Sequence, residues 1–317
     1  MELKHFLQEN TIPFDENVSL SNKTWIKTGG VCSYWIMPVS VCQLKTICTY
    51  LYSNSIKFDL VGQTSNLFFH AAYNPQVIVS TVKINNYEIK DGYIFSDCGV
   101  SVIKLAKDCM SQGYAGFYGL IGLPGTIASS VFNNAGCFNC SISSMLVSAD
   151  VLLPDGTVQI LHKDDFLYSH RSSVFKRGER KGIILSVKLK VEKADNVEEE
   201  YKKAEETKVY RKTRQEMASR NLGSVFGHLE YKHTFKNRFV DLVSKAVGVL
   251  GIYNYRAMRK KLLLLLSGYY DLNQYVSDKN LNIFIWNDAM SEAKFERYKK
   301  FMGEVYKNLE QEIEERV

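Results

Sequence analysis

The sequence predicts an α+β protein in two parts, and three observations carry that prediction. Short apolar runs alternate with segments whose apolar residues recur at three- and four-residue steps. Hairpin-type turn signals, Asp91-Gly92 and Pro154-Asp155-Gly156, border several runs, which favours α+β over a parallel doubly wound sheet. Near residue 194 the composition shifts from apolar stretches punctuated by Gly and Asn to long, highly charged helical segments. At roughly 100–200 residues per domain the length suits two domains with cores that need no disulfide or metal staple. The expected division is 1–193 and 194–317.

Each element follows in turn. Val41, Leu44, Ile47, Cys48 and Leu51 line one helical face, and the apolar Phe58–Val61 then ends at Gly62 as a strand. Gln76–Val82 and Tyr93–Ser96 read as strands, and Val102, Leu105, Ala106 and Cys109 as a second amphipathic helix. Ala149–Leu153, Val158–Leu161 and Gly182–Val191 supply further strands. Beyond the shift, Val197–Ala218 is a charged helix, and Phe235–Tyr270 reads as one or two basic amphipathic helices with Val249–Ile252 between them. Phe295, Tyr298, Phe301, Val305, Leu309 and Ile313 form a stripe expected to run along one closing helix as core.

Charge and cysteine usage exclude several function classes. The 40 Lys and Arg exceed the 34 Asp and Glu by only +6 and are scattered or interleaved with acids, unlike a nucleic-acid stripe. Met1–His5 opens no signal-peptide run, and the longest Leu run, Leu262–Leu266, is far too short to span a bilayer. The expectation is a cytoplasmic monomer with a small-molecule partner and neither nucleic acid nor membrane. Seven cysteines without paired spacing fit reduced thiols. One Cys-x-x-Cys, Cys137 to Cys140, lacks a second pair or nearby His, so no metal site is expected.

Four segments carry chemistry. Asn22–Gly30 and Val61–Leu67 set small or amide residues at strand ends, where bare N–H groups and short hydroxyls can surround a pyrophosphate, although each also reads as an ordinary turn. Gly119–Gly136 reads as a long ordered loop of small residues, costly to order unless it brings backbone against a ligand. It is neither a GxGxxG fingerprint nor a Walker loop, for it lacks the Lys-Ser/Thr. The fourth comprises Tyr168–Lys176, Arg214-Gln215 and Gly223-Ser224-Val225-Phe226.

In this order, from about Asn22 to Glu312, the segments resemble the bacterial UDP-N-acetylenolpyruvoylglucosamine reductases, also called UDP-N-acetylmuramate dehydrogenases. The family pattern is Asn-x-Thr then Gly-Gly; Gly-x-Gly-Ser-Asn; Gly-Leu and Pro-Gly-Thr, ending in Asn-Ala-Gly; Tyr-Arg-x-Ser-x-Phe; Gly-Ser-x-Phe-Lys-Asn-Pro; and Leu-Glu-x-Glu. The resemblance implies an FAD-binding domain of the PCMH type with two α+β subdomains, followed by an α+β substrate-binding domain. It implies non-covalent FAD, NADPH as electron donor and a UDP-sugar substrate: UDP-N-acetylglucosamine enolpyruvate reduced to UDP-N-acetylmuramate in peptidoglycan precursor synthesis. Carried over by position, Asn22, Thr24, Gly29, Gly30, Gly62, Ser65, Asn66, Pro124, Gly125, Thr126, Asn134, Ala135 and Gly136 line the FAD site. Arg171 takes the place of the substrate-polarising arginine, Ser224 of the proton donor, and Glu312 of the glutamate on the closing helix.

The departures gather in the second part. Thr64 replaces the second glycine of Gly-x-Gly-Ser-Asn, Ala128-Ser129 replaces two glycines, and His170 replaces the Tyr before the arginine. Gly227-His228-Leu229 stands where Lys-Asn-Pro is usual, and the Phe235–Tyr270 helices replace an Ala-Gly-Leu-Lys-Gly region. The pattern returns at Val276–Asn282. Two alternatives therefore stay open: an FAD oxidoreductase of another nucleotide sugar, and an inactive flavin-binding paralogue.

Overall fold

The computed structural model describes residues 2–317. The chain begins α1 (Leu3–Glu9), β1 (Phe14–Ser19), β2 (Val31–Ile36), α2 (Val41–Ser53), β3 (Asp59–Val61), β4 (Leu67–Phe69) and β5 (Val77–Ser80). It continues through β6 (Tyr87–Lys90), β7 (Tyr93–Asp97), α3 (Val102–Ser111), α4 (Ile127–Asn133), β8 (Gly136–Cys137) and β9 (Cys140–Ser141). Then come α5 (Ile142–Met145), β10 (Leu146–Leu152), β11 (Val158–His162), β12 (Ile183–Lys190) and α6 (Val197–Arg214). The last part is β13 (Phe226–Tyr231), α7 (Phe235–Val249), α8 (Tyr255–Leu266), α9 (Ser291–Val305), β14 (Tyr306–Gln311) and β15 (Glu314–Arg316). Helices and mostly antiparallel strands mix as an α+β fold requires. Among the described residues no helix is long and apolar enough to cross a membrane.

Two compact units share the chain. The first holds residues up to Lys23, Gly29–Ser65 and Ala71–Lys208; the second holds Thr24–Thr28, Asn66–His70 and Val209–Val317. They part inside α6, later than the composition shift near 194, and two short excursions of the N-terminal half join the second unit.

The first unit has two layered cores. One sheet has the order β1-β2-β5-β3, its last three strands parallel, and buries Val77 and Val79 with Leu44, Ile47 and Leu51 of α2. The Ser40 hydroxyl starts α2 by accepting from the Gln43 N–H at 3.2 Å, so the predicted apolar face is the buried one. The other sheet, β11-β10-β12-β7-β6, is antiparallel throughout; Val151, Val187 and Leu189 pack there with Val102, Leu105 and Cys109 of α3. Its β10–β11 hairpin turns at Pro154-Asp155-Gly156, with Gly156 at φ +85° and Asp155 accepting from the Thr157 N–H at 2.9 Å.

In the second unit β13 pairs antiparallel with β14, and β4 pairs parallel with β15. Its core is aromatic: the Phe284 ring lies 4.8 Å from Trp286 and 5.1 Å from Phe295. Phe235–Tyr270 contains two helices, α7 and α8, separated by an Asn254 whose side chain caps the second by accepting from the Arg256 and Ala257 N–H groups.

The closing helix is shorter than expected, and this corrects the placement of three residues. α9 ends at Val305; Leu309 lies on β14, and Glu312 and Ile313 lie between β14 and β15. Periodicity alone could not see the partner strand, which pairs His228 with Glu310 and Tyr231 with Tyr306. A helix continued through Glu310–Glu315 would also stack Glu310 on Glu314 at the repulsive i,i+4 spacing, at the negative end of the helix dipole.

β15 is anchored by Glu315. Its carboxylate accepts from Lys299 Nζ at 2.9 Å and Gln311 Nε2 at 2.9 Å, and His70 Nε2 lies 2.7 Å away. Burial alone would raise this carboxyl, but the hydrogen bonds from Lys299, His70 and Gln311 outweigh it and hold it below the ordinary carboxylate value. A depressed folded value means stability present above the unfolded value, near pH 4.3, and lost as pH falls through the folded one. Glu315→Gln should therefore cost about 1–3 kcal/mol at pH 7 and flatten the acid limb of urea melts followed by tryptophan fluorescence. An unchanged acid limb would contradict this.

Candidate flavin and substrate site

The Asn22–Gly30 segment divides between the units. Asn22 is exposed after β1, in the first unit. Thr24, in the second, is buried; its hydroxyl donates to the Thr28 carbonyl at 2.8 Å and accepts from the Thr28 N–H at 3.0 Å, closing the 24–28 loop. The two glycines that follow have different reasons. Gly29 sits at φ +111°. At Gly30 a Cβ would fall 2.7 Å from the Tyr73 carbonyl and 2.8 Å from that of Ala71.

The Val61–Ser65 and Pro124–Thr126 segments meet within the first unit. A Cβ on Gly62 would lie 2.8 Å from Thr126 Oγ1, and the Gly125 N–H donates to Gln63 Oε1 at 2.9 Å. Gly125 adopts φ +131° with the Ser65 hydroxyl close by. Thr126 caps α4: its hydroxyl accepts from the Ser129 N–H at 3.3 Å while Ser129 Oγ accepts from the Thr126 N–H at 3.0 Å. Ser129, which with Ala128 replaces a pair of glycines, thus completes a capping box, and the segment expected as one long loop contains the helix Ile127–Asn133. Thr64 occupies φ +56°, the left-handed region that explains a glycine in the family pattern and that strains a β-branched residue.

At the other end of α4, Asn134 takes the left-handed cap conformation, φ 48°. Its side chain donates to the Ser169 carbonyl at 2.7 Å, and its carbonyl receives Arg171 Nη1 at 3.4 Å. Arg171 sits at φ +53° in a turn closed by reciprocal backbone hydrogen bonds between Ser169 and Ser172. The Ser173 hydroxyl donates to the Phe132 carbonyl at 2.5 Å, docking this turn on α4. Ala135 leads into the β8–β9 hairpin, where Cys137 faces Cys140; both are free thiols, and burial raises Cys140 above the ordinary thiol value. Gly136 lies so close to Cys140 and Ser141 that a Cβ there would come within 2.6 Å of the Cys140 carbonyl.

The second unit ties Glu312 to Asn66 and to Val225, the residue after Ser224. The Glu312 N–H donates to the Val225 carbonyl at 2.8 Å, and Asn66 Nδ2 donates to the Glu312 carbonyl at 3.1 Å. A Cβ on Gly227 would lie 3.4 Å from Glu312 Oε2, so the departure from lysine puts bare backbone against this carboxylate. Ser224 is exposed, its backbone bridged to Ile283. Two residues on, Asn282 clamps Phe226, accepting from its N–H at 2.9 Å and donating to its carbonyl at 2.7 Å. The Gln215 region joins the same stretch, because Lys279 Nζ donates to the Gln215 carbonyl at 3.1 Å. Arg171 belongs to the other unit.

Sequence reasoning passed over Gln63 and Asn282. Asn282 closes the stretch where the family pattern returns, and that was the one signal available for it.

Against a flavin dinucleotide, two observations bear on fit. The meeting turns present small side chains and close-packed glycine backbone, which leave room for a diphosphate to approach the main chain. Beside the same motifs, within the first unit, one buried side-chain oxygen, Asn133 Oδ1, has no hydrogen-bond partner among the described residues. An amide oxygen able to accept suits a ligand that carries ring N–H groups as well as a diphosphate. The residues fit the group.

Comparison with known proteins agrees. The FAD binding domain family matches residues 33–162. A UDP-N-acetylenolpyruvoylglucosamine reductase of Bacillus pumilus (strain SAFR-032) is 32% identical over 212 residues, 67% of this chain and 69% of that protein. The chain belongs to the UDP-N-acetylenolpyruvoylglucosamine reductase family. The reductase of Bacillus subtilis (strain 168) is 29% identical over 231 residues, 73% of this chain and 74% of that one. Among solved structures, the reductase of Thermus caldophilus superposes with a TM-score of 0.67 at 18% identity, covering 96% of this chain and 99% of that one, so the family's fold extends over nearly the whole length.

Gly62→Ala tests the meeting of the two turns. Its methyl must displace the Thr126 cap, so stability should fall by about 1–3 kcal/mol in thermal melts and flavin titration should show weaker binding. Wild-type stability and affinity would contradict the geometry.

Proposed function

We propose that this chain reduces the enolpyruvyl double bond of UDP-N-acetylglucosamine enolpyruvate to give UDP-N-acetylmuramate, a peptidoglycan precursor, as a monomer acting in the cytoplasm. The supporting observation is that Glu312 is tied at its N–H to the carbonyl of Val225, the residue after Ser224, and at its carbonyl to the Asn66 side chain, so that three distant segments meet. Non-covalent FAD would be held by Asn22, Thr24, Gly29, Gly30, Gly62, Ser65, Asn66, Pro124, Gly125, Thr126, Asn134, Ala135 and Gly136. When bound it supplies the hydride, with NADPH as electron donor.

The chain's own residues manage the charge and the proton. Reducing the enolpyruvyl group places carbanion or enolate charge beside the substrate carboxylate, and that charge needs a fixed cation. Arg171 supplies it, pinned at its turn by the Asn134 carbonyl. Ser224 delivers the proton to the other carbon, its backbone immobilised by the Ile283 bridge and the neighbouring Asn282 clamp. Glu312 assists from the β14–β15 connection beside Gly227.

A second reading, another nucleotide sugar as substrate, is favoured by Gly227-His228-Leu229, because exposed His228 and bare Gly227 replace the family's Lys-Asn on β13. Purified protein should be yellow, and NADPH oxidation should be stimulated by UDP-N-acetylglucosamine enolpyruvate; stimulation by a different UDP-sugar alone would favour the second reading. Ser224→Ala should lower turnover by about 100-fold or more while flavin absorbance is retained. Full turnover in Ser224→Ala would remove the proton-donor role, and protein that never takes up FAD would remove the whole reading.

A further inference from the structure

Helix α7 is built inside out. Its buried residues are Asn237, Val240 and Ser244, whereas Phe235, Phe239, Leu242 and Val249 are exposed. At 100° per residue these four fall on the side opposite the buried one. Phe235 is 90% and Val249 87% exposed. The apolar surface continues past the helix end through Leu250 and Ile252, also exposed, in the α7–α8 connection. Exposing large side chains while packing Asn and Ser inward reverses the usual arrangement, and contiguous exposed apolar surface marks an interaction site.

Charge identifies the occupant. Between Phe235 and Leu266 the chain carries seven Lys and Arg against one acid, Asp241; since the whole chain has 40 and 34, the rest has 33 of each and is neutral. The entire surplus of +6 therefore lies in this helical hairpin. Asp241 is taken up by Arg259 at 2.7 Å, and Lys260 is buried against the Asn273 and Val276 carbonyls. Arg238 and Lys245, two helical turns apart, stay exposed along one border of the apolar stripe. Large apolar side chains bordered by basic ones on an exposed helix are the composition of a helix lying in the interface of an anionic bilayer. A second copy of the chain would set one net-positive hairpin against another.

We propose that the α7–α8 hairpin docks on an anionic lipid surface, with Phe235, Phe239, Leu242, Val249, Leu250 and Ile252 entering the headgroup–acyl boundary and Arg238 and Lys245 facing lipid phosphates. This revises the expectation of no membrane partner, which rested on the absence of a spanning segment; a helix lying on the surface needs none. The proposal does not depend on the reductase reading, because it concerns a face that carries none of the proposed catalytic residues.

The test is flotation of the full chain with vesicles of phosphatidylcholine alone and of phosphatidylcholine with phosphatidylglycerol at roughly seven parts to three. The chain should float with the anionic vesicles only, less so as salt is raised. Leu242→Glu should abolish binding. Arg238→Gln with Lys245→Gln should weaken it about thirtyfold, from about 1 kcal/mol per basic residue at 1.4 kcal/mol per tenfold. All these positions are exposed, so the variants should keep the wild-type melting temperature and flavin spectrum. Failure to float with anionic vesicles, or equal binding by Leu242→Glu, would overturn the proposal. So would a dimer in light scattering, dissolved by Leu242→Glu and indifferent to vesicles, which would give the face to a second copy.

Discussion

The start of β13 is held by Asn282, whose side chain hydrogen-bonds both the N–H and the carbonyl of Phe226 while its backbone carbonyl accepts from the Val225 N–H at 2.9 Å. On its other edge β13 is met by β14, and the Glu312 N–H completes the pairing at the Val225 carbonyl. Behind the clamp, Leu281 is held by the hydroxyl of the fully buried Tyr298, 2.8 Å from its carbonyl, and Phe284 is walled in by aromatic rings. Rigidity passes from an aromatic core, through Asn282 and the Ile283 bridge, to the strand that begins beside Ser224. An exposed hydroxyl on so firm a backbone suits a group that must meet a substrate carbon in one orientation.

The first unit was largely legible in the sequence because its signals are local. The α2 and α3 stripes, the Pro154–Gly156 turn and the Gly62 and Pro124–Thr126 motifs each specify their own geometry within a few residues. β14 was not legible: Leu309 and Ile313 continue a helical stripe, and only the distant β13 shows that they leave the helix. Glu312 consequently lies on a connection between strands and not on a helix face. The excursions of Thr24–Thr28 and Asn66–His70 into the second unit are similarly invisible, since no local pattern reports which core a loop will join. Asn282 was hidden for a related reason: an asparagine that clamps a strand looks like any loop asparagine until its partner is known.

The departures from the family pattern fall into two physical kinds. Ser129 and Thr64 keep the backbone path that glycine allows, Ser129 by adding a capping hydroxyl and Thr64 by accepting a left-handed conformation. Gly227 and the α7–α8 hairpin alter the surface itself. The first removes a side chain next to Glu312, and the second adds a charged apolar face to a chain that is otherwise electrically balanced. The family's flavin module is thus retained on a second unit with its own surface chemistry.

On the proposed role of Ser224 as proton donor, Asn282 is a positioning residue for the strand beside it, and separated half-reactions in Asn282→Ala test this most directly. Stopped-flow absorbance should show NADPH reducing the FAD-loaded variant at the wild-type rate, while reoxidation by UDP-N-acetylglucosamine enolpyruvate slows about 100-fold. Reoxidation at the wild-type rate would contradict the account, as would loss of the NADPH half-reaction.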